Sequence, residues 1–156
     1  MPRRSKVPWH LNALFRVPLA DHTGRLGQVV GLMMPNVAYC AFSARPVSVG
    51  SEASPLQRSE IVAALAVTRE QLDYGVWQIV GHAEPVLAVS AFANEQFASN
   101  GYIGARIYDA ALVEDLLAAY SGLTLWDDWH DPEYLDGLLL PPCTRPSGVR
   151  LRSAAD

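Results

Sequence analysis

The sequence lacks basic residues where a folded body would ordinarily carry several. Between Arg106 and Arg145 there is no Lys or Arg, while eight acidic residues occur there. From Val7 to Thr144 the chain has 15 acidic and six basic side chains, a formal −9 that the overall −4 conceals. A surface of that sign does not favour nucleic acid, whose phosphates need Lys and Arg gathered on one face. It suits a basic protein partner, drawn in by complementary potential. Cysteine is also scarce: Cys40 and Cys143 alone do not make a disulfide framework, which fits a reduced, cytoplasmic setting. No apolar run is long enough to span a bilayer, and no apolar stretch follows the basic Met1–Lys6 to suggest a secretory leader.

Catalytic motifs are missing too. No Gly-x-Ser-x-Gly elbow is present, and Gly24-Arg25-Leu26-Gly27 lacks the spacing of a phosphate loop, so it reads as a hairpin turn entering a bulged strand. The four histidines, His10, His22, His82 and His130, match no metal-ligand spacing, and neither metal nor cofactor is expected. Cys40 sits among apolar neighbours, as a small buried hydrophobe would, rather than as a nucleophile paired with His22 or His82.

What the chain does have is material for one core, since half its residues are apolar. Ala13–Leu19, Arg25–Met34 and Val37–Ala44 read as three strands joined by short turns. Pro18 belongs at an edge or a strand end, and Gly27 and Gly31 mark bulges. Residues 60–68 are rich in Ile, Val and Thr and are read as a fourth strand. Val76–Val80 follows at hairpin distance, and Gly101–Tyr108 is read as a last strand. Residues 86–100 are open to more than one reading. Asp109 stands where a helix cap would, ahead of Ala110–Tyr120, whose Leu112, Val113, Leu116, Leu117 and Tyr120 share one side. A second helix is expected from Asp131, with Pro132 in its first position and Pro141-Pro142 at its end. The expected class is α+β: a curved antiparallel sheet or partly closed barrel with two C-terminal helices packed on it. Residues 1–9 form a flexible arm in this reading, 10–142 one domain and 143–156 a flexible tail.

The stretch Gly122–Leu140 interleaves Trp126, Trp129, Tyr134 and several Leu with Asp127, Asp128, Asp131, Glu133 and Asp136. Its apolar half needs a core, and its acidic half is the candidate partner-binding surface. The five carboxylates supply the field; Trp126 and Trp129 supply aromatic anchors of the kind interfaces bury. The plainer alternative for both indoles is core packing, which is also the reading of Trp77 between Val76 and Ile79. Paired carboxylates beside His130 leave open a small hydrolase, and a generic interaction domain is a further alternative.

Three segments in order resemble the immunity-protein family numbered 26 of bacterial polymorphic toxin systems. They are Leu14-Phe15-Arg16-Val17-Pro18-Leu19 with the Gly24–Gly27 turn, Tyr74–His82 with Pro85 after it, and Trp126–Asp136 with its Asp-Pro-aromatic start. The resemblance spans roughly residues 11–140. It implies a small cytoplasmic α+β protein with no enzymatic role, which binds and neutralises a cognate toxin. It assigns no binding residue; those named above rest on charge and aromatic content.

Overall fold

The computed structural model describes residues 5–152. Five strands, β1 (Ala13–Pro18), β2 (Gly24–Met34), β3 (Val37–Pro46), β4 (Ile61–Thr68) and β5 (Gln78–His82), form one antiparallel sheet in the order β4-β3-β2-β1-β5. A four-residue helix α1 (Glu70–Asp73) lies between β4 and β5, and α2 (Ala110–Tyr120) is the one long helix among the described residues. No described helix is long and apolar enough to cross a membrane.

The first three strands follow the pattern of turns read from the sequence. Ladder irregularities fall between Arg25 and Gly27 and between Val29 and Gly31, where the glycines predicted bulges. Gly27 has a second reason: a Cβ there would lie 2.6 Å from Cε2 of Phe15, so any side chain would collide with the core ring. β1 is internal, flanked by β2 and β5, and Pro18 sits at its end, past the last β5 partner, Arg16 opposite Gln78. Its missing N–H therefore breaks no ladder to β5.

Both faces of the sheet are buried. Phe15, Cys40, Phe42, Leu65 and Val67 point to one face, which α2, Trp77 and Trp126 cover. Leu14, Leu26 and Ala41, with Tyr39 and Met33, point to the other, covered by Leu56, Leu87 and Phe92. On the first face Trp77 stacks on Phe15 at 5.2 Å between ring centres and meets Phe42 edge-on at 5.6 Å. Burial without a partner charge pushes the Cys40 thiol well above its ordinary range, which leaves it a hydrophobe at working pH.

Several expectations are corrected. The sheet is open: β4 and β5 are its two edges, and β5 pairs antiparallel with β1 rather than forming a hairpin with β4. The connection makes a helical turn at α1 and a left-handed Gly75 (φ +72°), which carries the chain away from β4 instead of folding it straight back. Gly101–Tyr108 is not a strand. Gly101, Tyr102 and Gly104 all have positive φ (62°, 63° and 94°), which breaks extension, and only Tyr108 bridges to Val67. The open stretch before it folds as short tight turns, Val89–Ala91 and Ala93–Asn100. Asp109 occupies the position before α2 with an extended backbone, but its side chain makes no capping bond.

The second C-terminal helix is also absent. Asp131 Oδ1 accepts the Glu133 N–H at 2.9 Å, closing a local turn, and only Asp136–Leu138 winds helically, in a single tight turn around Gly137. With Leu135, Leu138 and Leu139 all buried, burial and not a continuous helix sets the path. The ends are fastened as well. In the N-terminal arm the Val7 N–H donates to the Asp73 carbonyl at 2.7 Å and Trp9 Nε1 donates to Asp73 Oδ1 at 2.8 Å, with Arg69 stacked 4.4 Å above the indole. In the C-terminal stretch Val149 and Leu151 pack against the core. Residues 1–4 and 153–156, the remainder of the expected arm and tail, lie outside the described residues.

Candidate functional site

The acidic segment hangs from Trp126. Its side chain is fully buried, 6.2 Å from the Tyr120 ring, and its Nε1 donates to Asp136 Oδ1 at 3.2 Å. Burying an indole leaves one donor to satisfy, and Asp136, half-buried ten residues on, satisfies it. The Trp126 backbone N–H donates to the Arg150 carbonyl at 2.8 Å, which ties the segment to the C-terminal stretch.

These contacts divide the seven residues expected to bind a partner. Trp126 presents no surface and belongs to the core. Asp136 is engaged by Trp126 and is half-buried. Trp129 is half-buried, packed at 5.0 Å on Tyr134, with part of its surface outward. Asp128, Asp131 and Glu133 are exposed, and Asp127 is partly so. The structure thus brings together three exposed carboxylates and the margin of one indole, not five carboxylates and two anchors.

Two basic residues missed by the sequence reading touch this face. The Arg152 N–H donates to Asp127 Oδ1 at 2.6 Å, and its guanidinium bridges Asp128 Oδ1 at 3.0 Å. Arg150 donates to the Leu123 carbonyl at 3.2 Å. The Arg152–Asp128 pair leaves 74% and 56% of the two side chains exposed, so its contribution to stability is small. The signal that could have found it is Val149-Arg150-Leu151-Arg152, an apolar–basic alternation able to lie beside an acidic strip.

His130 is exposed on the same segment. Among the described residues no three His, Cys, Asp or Glu side chains converge as metal ligands. A cleft of about 620 Å³ lies at the β4 edge, and its lining includes neither His130 nor any carboxylate of the 127–136 segment. Protein-family models, curated proteins and solved structures yield no match to this chain.

Proposed function

We infer that this chain is an immunity protein that binds a basic protein toxin in the cytoplasm and neutralises it without catalysis. Asp128, Asp131 and Glu133 form the contact face, with Asp127 and the open margin of Trp129. The observation carrying this reading is the exposure of those three carboxylates, with no basic residue in the segment itself, on a stretch pinned by a buried Trp126. The ordered resemblance of three sequence segments to immunity family 26 supports it. A pinned segment loses little freedom on binding, so an electrostatic contact is not spent on ordering the chain. The weak, exposed Arg152–Asp128 bridge is the kind of contact a toxin arginine could replace.

The test is co-expression with the product of the adjacent toxin-like gene, reading growth rescue and complex formation. Asp128→Asn, Asp131→Asn and Glu133→Gln together keep the side-chain shapes, and Asn at 131 can still accept the turn bond. The triple variant is expected to fold normally and to associate at least about tenfold more slowly, and wild-type association is expected to slow as salt rises. Unchanged capture by the triple variant, or a rate indifferent to salt, overturns the reading.

A further inference from the structure

The cleft beside β4 is built differently from the acidic face. The outward edge of β4 is paired at both ends: the Val62 carbonyl accepts the Leu140 N–H at 2.8 Å, the Ala66 carbonyl accepts the Tyr108 N–H at 2.9 Å, and the Thr68 N–H donates to the Tyr108 carbonyl at 3.1 Å. Backbone groups in a strand alternate sides, so the N–H and C=O of Ala64 point outward along the same edge. Among the described residues neither is paired. Ala64 opens into the 620 Å³ cleft, where Phe92, Phe97, Tyr108, Leu138 and Leu139 supply apolar and aromatic walls. Arg106 also lines it, the sole Lys or Arg that does. Asn94, itself 8% exposed, fixes the Arg106 backbone from both sides: its Oδ1 accepts the Arg106 N–H at 2.9 Å and its Nδ2 donates to the Arg106 carbonyl at 2.7 Å. The exposed guanidinium has no bonded partner among the described residues.

We propose that this cleft binds the C-terminal end of an extended peptide with apolar side chains. One peptide residue would donate to the Ala64 carbonyl and accept from its N–H, adding a short stretch of strand to the β4 edge. The free edge between Val62 and Ala66 is only about 13 Å long, room for some three extended residues. Tyr108 and Leu140 occupy the edge on either side, so a continuing chain would have to turn out sharply at both ends. A chain terminus needs only one exit. Of the two termini, the carboxylate complements Arg106 and an ammonium would be repelled by it. Apolar side chains meet the Phe and Leu walls. The proposal stands apart from the acidic face and from the immunity reading, since it shares no residue with either.

The experiment uses the full-length chain, labelled with nitrogen-15, and three probes. Two are pools of N-acetylated hexapeptides ending in Val, Leu or Phe, one with free C-terminal carboxylates and one amidated; the third is decanoate. The expected result is saturable amide shifts at Ala64 and Arg106 with the free-acid pool and slowed hydrogen exchange at Ala64. Affinity for the amidated pool should be about tenfold to a hundredfold lower. Arg106→Gln, a surface change, should bring the two pools level, whereas the Asp128/Asp131/Glu133 variant should leave peptide binding untouched. Equal affinity for acid and amide, no response at Ala64 with either pool, or decanoate binding in place of peptide with no protection of the Ala64 amide would each overturn it.

Discussion

In residues 13–82 five strands satisfy their amides through regular ladders, whereas residues 83–152 contain a single 11-residue helix and otherwise satisfy their polar groups one at a time. The first region places Phe15, Phe42 and Trp77 in mutual contact, so its core is a block of rings on a sheet. The second is stitched by particular side chains: Asn94 to the Arg106 backbone, Glu95 to the hydroxyls of Tyr39 and Tyr102 at 2.6 and 3.1 Å, and Trp126 to Asp136. A ladder tolerates many sequences, because its bonds are backbone to backbone. A stitched covering depends on each side chain that closes it. Both candidate sites, the acidic face and the β4 cleft, lie on or beside the stitched region, where irregular backbone leaves surfaces that a regular layer would fill.

The largest effect expected from this contrast comes from the two buried indoles. Trp77→Ala and Trp126→Ala should each cost about 3–5 kcal/mol in urea unfolding. Their hydrogen-exchange patterns should differ. Trp77→Ala should weaken β1 and β3 together with everything packed on them, while Trp126→Ala should expose amides of 123–126 and 149–151 first and leave β3 protected. Uniform loss of protection in both would erase the distinction. Asn94→Ala comes next. It leaves the Arg106 N–H and carbonyl without their side-chain partner, so a loss of about 1–3 kcal/mol is expected, together with weakened peptide binding at the cleft.

The smallest effect has opposite signs in the two regions. Arg45 donates to Glu60 through Nε at 2.7 Å and again through Nη2, and these bonds hold the Glu60 carboxyl below its ordinary range. The stability it contributes is present above its unfolded pKa and is lost as pH falls through the depressed folded value. Glu114, on α2, is shifted the other way: burial raises its carboxyl, and the Gln71 bond at 3.3 Å only partly offsets this. Its contribution is full below its ordinary value of 4.5 and is lost as pH rises through the higher folded value. Glu114→Gln should therefore raise stability at pH 7 and flatten the curve above about pH 4.5, while Glu60→Gln should lower stability at pH 7 and flatten it below. Thermal unfolding scanned from pH 3 to 8 reads both.

Much of the ordered sheet was legible from residue pattern, because alternation, turn residues and bulge glycines are local signals. β2, β3, β4 and α2 fall within two residues of where the sequence places them. The partner of β5 was not legible, since hairpin spacing and a crossover differ only in what the sheet edge offers. The acidic segment was legible as a place but not in its detail. The same Trp-Asp-Asp-Trp string contains one buried indole and one half-exposed one, and nothing in the local pattern separates Trp126 from Trp129.

By itself the sequence determined the strand succession, the one long helix and the sign of the field over residues 109–136, because these depend on periodicity and charge count along the chain. Tertiary structure alone decided that β5 joins β1, that Trp126 turns inward onto Asp136, that Arg152 folds back over Asp128, and that Ala64 faces an open cleft with Arg106 on its wall. Each of those depends on groups far apart in sequence competing for the same buried space or the same hydrogen bond, and that competition has an outcome only once the layers are packed.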